Sequence, residues 1–320
     1  MAEAHCDVLC AGIVVADHVC APISHLPTPG ELVQSDQMIL TLGGCAANVA
    51  VNLHKLGVQA RVIGRVGDDP FAGIFRDLLV ASGLDAGGLI TTPGRLTSQT
   101  MILNVVGQDR RFVHHFGANA AFAAADVPLP VVRQARILYL GGYLLLPGLT
   151  QDALAELFAA ARSVGVRTVL DVAIPGGTQL ADQFTALLPH TDLFLPNTDE
   201  AALILGEPDP HRQALAFHQM GAKAVAITRG GDGVVWIDER CRLRAGVYPT
   251  QVVDASGSGD AFAAGVIFGL LEGLPPADCL RWGSALGASC VRAIGTTTGV
   301  FNREQAVAFM AEHPFTIASW

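Results

Sequence analysis

Lysine is almost missing: Lys55 and Lys223 are the only two in 320 residues. With arginine included, 20 basic side chains face 29 acidic ones, a net charge of −9. The chain therefore lacks the basic footprint a duplex nucleic-acid binder needs to neutralise phosphates. Neither lysine follows a glycine-rich loop, which excludes the GxxxxGK[ST] phosphate loop. Charged residues make up only 15%, yet no apolar run reaches the roughly eighteen residues of a membrane span. Residues 1–5 carry no basic cluster, and Asp7 and Asp17 break the apolar stretch that follows, which speaks against a secretory signal. The seven cysteines form no CxxC pair and read as reduced small hydrophobes of a cytoplasmic protein. What is abundant is apolar surface. Hydrophobic residues are 51% of the chain, enough for a large core and against wholesale disorder.

Short β-branched runs come early, at 8–11, 60–66, 100–106 and 111–116. Between the last two lies Gly107-Gln108-Asp109-Arg110, so this stretch reads as a β-hairpin with one exposed face. From residue 136 strands and helices alternate: strands at 137–140, 167–172, 193–195 and 224–228, helices at 152–162, 178–188 and 198–205. Continuous apolar strands separated by amphipathic helices imply a parallel sheet covered on both faces. No linker interrupts the pattern, so residues 1–320 read as one α/β domain with an early β-ribbon projecting from it. Ligands of such sheets bind beyond the carboxyl ends of the strands. Asp17, Gly43, Gly44, Asp171, Asn197, Thr228 and Asp254 fall there.

Four segments carry chemistry. In Asp254-Ala255-Ser256-Gly257-Ser258-Gly259-Asp260, glycine and serine precede a nearly all-apolar helix running to about residue 271. Free amides at such a helix start form an anion site. A carboxylate beside a bound phosphate repels it, so Asp260 is either a helix cap or a general base for an attacking hydroxyl. A dinucleotide GxGxxG is excluded because Phe262 takes the third glycine's place. In Gly43-Gly44-Cys45-Ala46-Ala47-Asn48, paired glycines allow close ligand approach, and Asn48 is a lone amide among small residues. It grips either a ligand or a neighbouring loop. Asn197-Thr198-Asp199-Glu200 opens a helix; Glu200 could hold a hydrated Mg²⁺ or complete a cap. Thr228-Arg229-Gly230-Gly231-Asp232-Gly233 is a nucleotide contact or a tight hairpin.

Taken in order, these segments resemble the ribokinase-like carbohydrate kinase (PfkB) family. Gly43 to Ala50 is similar to its first signature and Asp254 to Asp260 to its second, D-T-x-G-A-G-D, with Ala255 and Ser258 as departures. Asn197 to Glu200 matches its N-x-x-E element and Thr228 to Gly233 its T-x-G-x-x-G loop. Gly64 to Gly73 and the opening Gly12 to Asp17 are also similar to family stretches. The resemblance implies a ribokinase-like α/β fold: a central, mostly parallel sheet flanked by helices, with a small β-sheet lid from about 13–42 and 96–116. It implies an ATP-dependent phosphotransferase acting on a hydroxymethyl group of a sugar or sugar-like alcohol. Asp260 would be the base, and the amides of Gly257, Ser258 and Gly259 the anion hole. Asp17, Gly43, Gly44 and Asn48 would bind acceptor. Asn197, Thr228, Gly230 and Gly233 would contact ATP, with Glu200 organising Mg²⁺. A monovalent cation such as K⁺ near Asp254 and Gly295, and a homodimer through the lid, are further implications. The alternatives are a nucleoside kinase of the same family and a catalytically silent sugar- or nucleotide-binding relative. Val15, Cys45 and Tyr143-Leu144-Leu145-Leu146 stand where a ribose-specific site has polar contacts, which argues for a less polar or larger acceptor. Arg110, Arg111, His114 and His115 lie on the lid hairpin, as a solvated face or within reach of substrate.

Overall fold

The computed structural model describes residues 6–108, 110–176 and 180–320. Its strands, in chain order, are β1 (Val8–Gly12), β2 (Val15–Ile23), β3 (Met38–Gly43), β4 (Ala60–Val66), β5 (Leu89–Thr91), β6 (Gln99–Val105), β7 (Arg111–His115), β8 (Ile137–Tyr143), β9 (Arg167–Val172), β10 (Leu193–Phe194), β11 (Ala224–Thr228), β12 (Val234–Asp238), β13 (Arg242–Ala245) and β14 (Ile317–Ser319). The helices are α1 (Cys45–Lys55), α2 (Pro70–Ala81), α3 (Leu129–Val132), α4 (Gln151–Ser163), α5 (Thr198–Leu205), α6 (Pro210–Gln219), α7 (Ser258–Leu271), α8 (Pro276–Cys290) and α9 (Arg303–Glu312).

The large sheet runs β14-β13-β12-β11-β10-β9-β8-β1-β4-β5. Strands from β11 to β5 are parallel, and β12, β13 and β14 add antiparallel at one edge. Alternation within β1 shows how both faces are covered. Val8 and Cys10 enter the core beneath α1 and α7, while Leu9 and Ala11 enter the core on the α4 side. Helix α7 is buried on nearly all sides, and its glycines admit α8: a side chain at Gly265 would meet the Trp282 carbonyl. At β1 the chain order turns, with β4 on one side and β8 on the other, so a crevice opens at the carboxyl end of β1. Gly12 of β1 pairs with Gly141 of β8 there, and a side chain at Gly12 would strike the Gly141 carbonyl.

The second sheet is four-stranded, ordered β3-β2-β6-β7, with β2 and β6 parallel and both edges antiparallel. Asn119 clips its root to the main sheet: its buried amide accepts from the Val14 N–H and donates to the Val14 carbonyl. The Gly64 to Gly73 stretch is structural in the same way. Asp69 caps α2 and accepts from both the amide and the hydroxyl of Thr97. The expected helix at 178–188 is absent. Residues 180–190 form two short 3₁₀ turns, Ala181–Gln183 and Leu188–His190, and residues 177–179 lie outside the described residues. Phe184, Leu187 and Leu188 are fully buried, and the turns satisfy the same apolar spacing that suggested a helix. Asp109 of the hairpin turn and residues 1–5 also lie outside the described residues.

Candidate active site

Asp17 stands where the two sheets meet, on β2, with Thr41 of β3 and Thr100 of β6 as its register partners. Its carboxyl group occupies the space a side chain at Gly43 would need. Gly44 has φ 86°, and a Cβ there would approach the Ile13 carbonyl at 2.5 Å. Both glycines are thus required by the backbone and by Asp17. The Asp17 carboxyl is buried. Desolvation, with Asp260 and Asp254 adding repulsion against a Thr100 hydrogen bond, pushes its pKa up to about 8.

Asp260 is the third residue of α7, and it caps nothing. The N-cap is Gly257, in the left-handed region at φ 76°, with no side-chain cap. The Asp260 carboxylate instead accepts from Asn48 Nδ2 at 2.8 Å. Asn48 Oδ1 lies 2.9 Å from Thr296 Oγ1, and that hydroxyl is 2.7 Å from the Leu42 carbonyl. Asn48 therefore ties α1, α7 and the loop at Thr296 together. The same loop explains Gly257, whose Cβ would meet the Thr296 carbonyl. Asp254 shapes the turn from below, accepting from the amides of Ser256 and Gly295 at 3.0 Å each. Among the described residues the Gly257 and Gly259 amides have no hydrogen-bond partner, while that of Ser258 reaches the Ala255 carbonyl at 3.3 Å. Two amides at the start of a helix are thus available to an anion beside Asp260.

Further acids converge on Asp260. One donor atom each from Cys45, Asp171 and Asp260 lie within 4.8 Å of one another. Asp171, at the carboxyl end of β9, is buried and accepts from Tyr139 Oη at 2.6 Å. Burial, then Asp260 and Glu200, raise its pKa well above the carboxylate range. Asp260 is raised by burial too, against hydrogen bonds from Asn48 and Cys45. Glu200, raised to about 7 by burial, forms a reciprocal capping box with Asn197: the Asn197 amide donates to Glu200 Oε2 at 2.9 Å, and the Glu200 amide to Asn197 Oδ1 at 2.8 Å. Together they close the start of α5, and Glu200 also acts electrostatically on Asp171 and Asp260. Thr228, at the end of β11, makes an isolated parallel backbone bridge with Asn197, beyond the end of β10. Gly230 (φ 53°) has open space around it, whereas a side chain at Gly233 would strike the Ala245 carbonyl, so Gly233 serves the hairpin. Carboxylates beside free amides suit a site that receives phosphate together with a hard cation. The oxygen donors of Glu200 and its neighbours are of the type Mg²⁺ takes, and a thiol held protonated by burial is not.

Of the residues singled out in the sequence, the structure brings Asp17, Gly43, Gly44, Asn48, Asp254, Gly257, Gly259, Asp260 and Glu200 together. Sequence reasoning placed Asp17, Gly43, Gly44 and Asp254 there by position. It named Asp171 by position without a role, and it missed Tyr139, Thr100 and Thr296. Only strand register and a distant loop bring those three in.

The profile of the pfkB family carbohydrate kinases matches residues 6–302. The chain belongs to the pfkB family of carbohydrate kinases. Among its kinase relatives, a Haemophilus influenzae ribokinase is 28% identical over 94% of this chain and 97% of its own length. A nucleoside kinase of Methanothermobacter thermautotrophicus is 25% identical over 94% of each. The structure of Arabidopsis thaliana ribokinase complexed with ribose and ATP superposes with a TM-score of 0.81 at 23% identity, covering 96% of this chain and 99% of that one. The ribokinase-like architecture expected from sequence, a large mostly parallel sheet with a small separate one, is thus that of a kinase family.

Proposed function

We propose that this pfkB kinase transfers the γ-phosphate of ATP to a hydroxymethyl group of a sugar or sugar-like alcohol. The observation that carries the reading is the pairing of the Asp260 carboxylate, oriented by Asn48, with the open Gly257 and Gly259 amides at the start of α7. Asp260 takes the proton of the attacking hydroxyl, and the amides receive the transferred phosphoryl group. Ser258 completes that turn. Asp17, on the opposite wall, grips acceptor hydroxyls, with Gly43, Gly44 and Asn48 leaving room for the acceptor. Asn197, Thr228 and Gly230 line the nucleotide side. Mg²⁺, held through water by Glu200, would neutralise phosphate charge. Asp254 is buried with no ion-pair partner among the described residues, and a monovalent cation such as K⁺ beside it would balance that charge. Exchanging KCl for a bulky organic chloride should then lower the rate.

The small sheet acts as the lid, and its closure excludes water as a competing phosphoryl acceptor. Its other face carries the register row His18, Met101 and Val113, with Met101 and Val113 exposed, and this apolar face is the homodimer contact we propose. Within the described residues no helix is long and apolar enough to cross a membrane. With its cysteines free of disulfides and its net acidic charge, we read the kinase as cytoplasmic, with no nucleic-acid partner. A nucleoside acceptor is the second reading, favoured by Cys45 and by the buried Tyr143 and Leu146 where polar sugar contacts would be expected. ADP release measured over a panel of sugars and nucleosides tests both. ATP turnover with none of them, despite tight acceptor binding, would mark a catalytically silent relative.

A further inference from the structure

One row of side chains crosses the small sheet. Thr41, Asp17, Thr100 and His114 are successive register partners on β3, β2, β6 and β7. Residues directly opposite one another in a sheet share a face. This face turns Asp17 toward Gly43 and the acids at Asp260 and Asp254. Three members of the row are linked. Thr100 stands directly opposite Asp17 and its hydroxyl holds down the Asp17 pKa, and His114 Nδ1 lies 2.9 Å from Thr100 Oγ1. Phe116 holds the His114 ring edge-on at 5.1 Å. The remaining ring nitrogen, Nε2, is buried with no hydrogen-bond partner among the described residues. A ribbon at the edge of a sheet could easily turn such an atom to water, and leaving it buried and unmade is costly.

The proton count sets what Nε2 can do. Burial holds the Asp17 pKa at about 8 in the ligand-free fold, but once it grips the hydroxyl donors of a bound acceptor its carboxylate is ionised and only accepts. Thr100 has one proton to give, and Asp17 takes it. The Thr100 oxygen then accepts from His114 Nδ1–H. Burial lowers the His114 pKa, so the ring is neutral. In that tautomer Nε2 presents a lone pair.

We propose that His114 determines acceptor specificity: its Nε2 accepts a hydrogen bond from a further hydroxyl or ring N–H of the acceptor, beyond the hydroxyls held by Asp17, while Thr100 links it to the Asp17 carboxylate. The site thereby selects a polyol or nucleoside that carries a donor at that place. A carboxylate or keto oxygen there would face lone pair with lone pair. This rests on the kinase reading above.

The test begins with D-ribose, D-fructose and adenosine as acceptors for the wild-type enzyme, whose turnover reports on the kinase reading alone. With the acceptor used best, His114→Phe, His114→Gln and Thr100→Val are compared by the acceptor KM, the ATP KM, kcat and the melting temperature. His114→Phe keeps the ring and its contact with Phe116 but removes both nitrogens. The acceptor KM should rise about tenfold, as for loss of one hydrogen bond, with the ATP KM unchanged. His114→Gln should recover part of the loss, and Thr100→Val should raise the acceptor KM as well. The double variant His114→Phe/Thr100→Val should fall short of the product of the single effects, because the two act in one chain. An acceptor KM unchanged in His114→Phe overturns the proposal, and so does a lowered melting temperature with KM intact, the mark of a purely structural residue. If His114→Phe does not fold, unchanged acceptor KM values in both His114→Gln and Thr100→Val overturn it equally.

Discussion

Replacing Asp260 with Asn exchanges one carboxylate oxygen for an amide nitrogen and leaves nearly everything else in place. The amide oxygen can still accept from Asn48 Nδ2, the 2.8 Å bond that orients the side chain. No helix cap is lost, because α7 starts at Gly257 without a side-chain cap. What disappears is the ability to take a proton. Removing a general base costs about 10²–10⁴ in rate, or about 2.7–5.4 kcal/mol of barrier at about 1.36 kcal/mol per decade. ATP affinity should hold or improve, since a negative charge beside the γ-phosphate is gone. Stability should hold or rise. Burial raises the folded-state pKa of Asp260, so its ionised form is disfavoured in the native state, and a neutral amide removes that burden along with repulsion from Asp171. Three measurements on one variant decide the matter: kcat from ADP release, nucleotide Kd by calorimetry, and the melting temperature. A kcat within about tenfold of wild type would refute the assignment of Asp260 as base.

Asp17→Ala should raise the acceptor KM about ten- to a hundred-fold, the value of a charged hydrogen-bond partner, with the ATP KM nearly unchanged; an unaltered acceptor KM would remove Asp17 from the site. Glu200→Gln should demand more Mg²⁺ for half-maximal rate while keeping the melting temperature, because Gln preserves the capping box; an unchanged Mg²⁺ titration would leave Glu200 as a cap alone. Stability should also depend on pH through Asp17. Its carboxyl titrates at about 8 in the fold, against about 3.9 in an unfolded chain, so the folded state binds the proton more tightly. That contribution is complete below about pH 4 and is lost as pH rises through about 8. The melting temperature of the ligand-free kinase should fall over that window, and Asp17→Asn should flatten the slope; identical profiles for variant and wild type would contradict the burial argument.

The residues legible in the sequence are those that announce themselves locally. Glycines before an apolar helix mark Gly257 and Gly259, paired glycines mark Gly43 and Gly44, and N-x-x-E is a helix start whatever else it does. Tyr139, by contrast, lies inside an apolar strand and looks like core; only the parallel pairing of β8 and β9 brings Asp171, 32 residues away, to its hydroxyl. Thr100 and His114 read as one face of a ribbon until register sets them beside Asp17. The turns at 180–190 went unread for the opposite reason. Their apolar spacing at Leu180, Phe184, Leu187 and Leu188 is what a helix would show, and burial of a compact turn demands the same residues.

Asn48 reaches Asp260 across 212 residues of chain and Thr296 across 248. The order of synthesis makes that span a delay. At about 5–20 residues per second, α1 is complete for about 10–50 seconds before its partners in α7 and the Thr296 loop exist. During that time the buried residues of α1 lack the part of their cover that α7 supplies in the finished kinase. A nascent or C-terminally truncated chain therefore carries the Asp17 and Asn48 half of the site with an apolar face of α1 open, and it is this half-built species, more than the finished enzyme, that would need a chaperone.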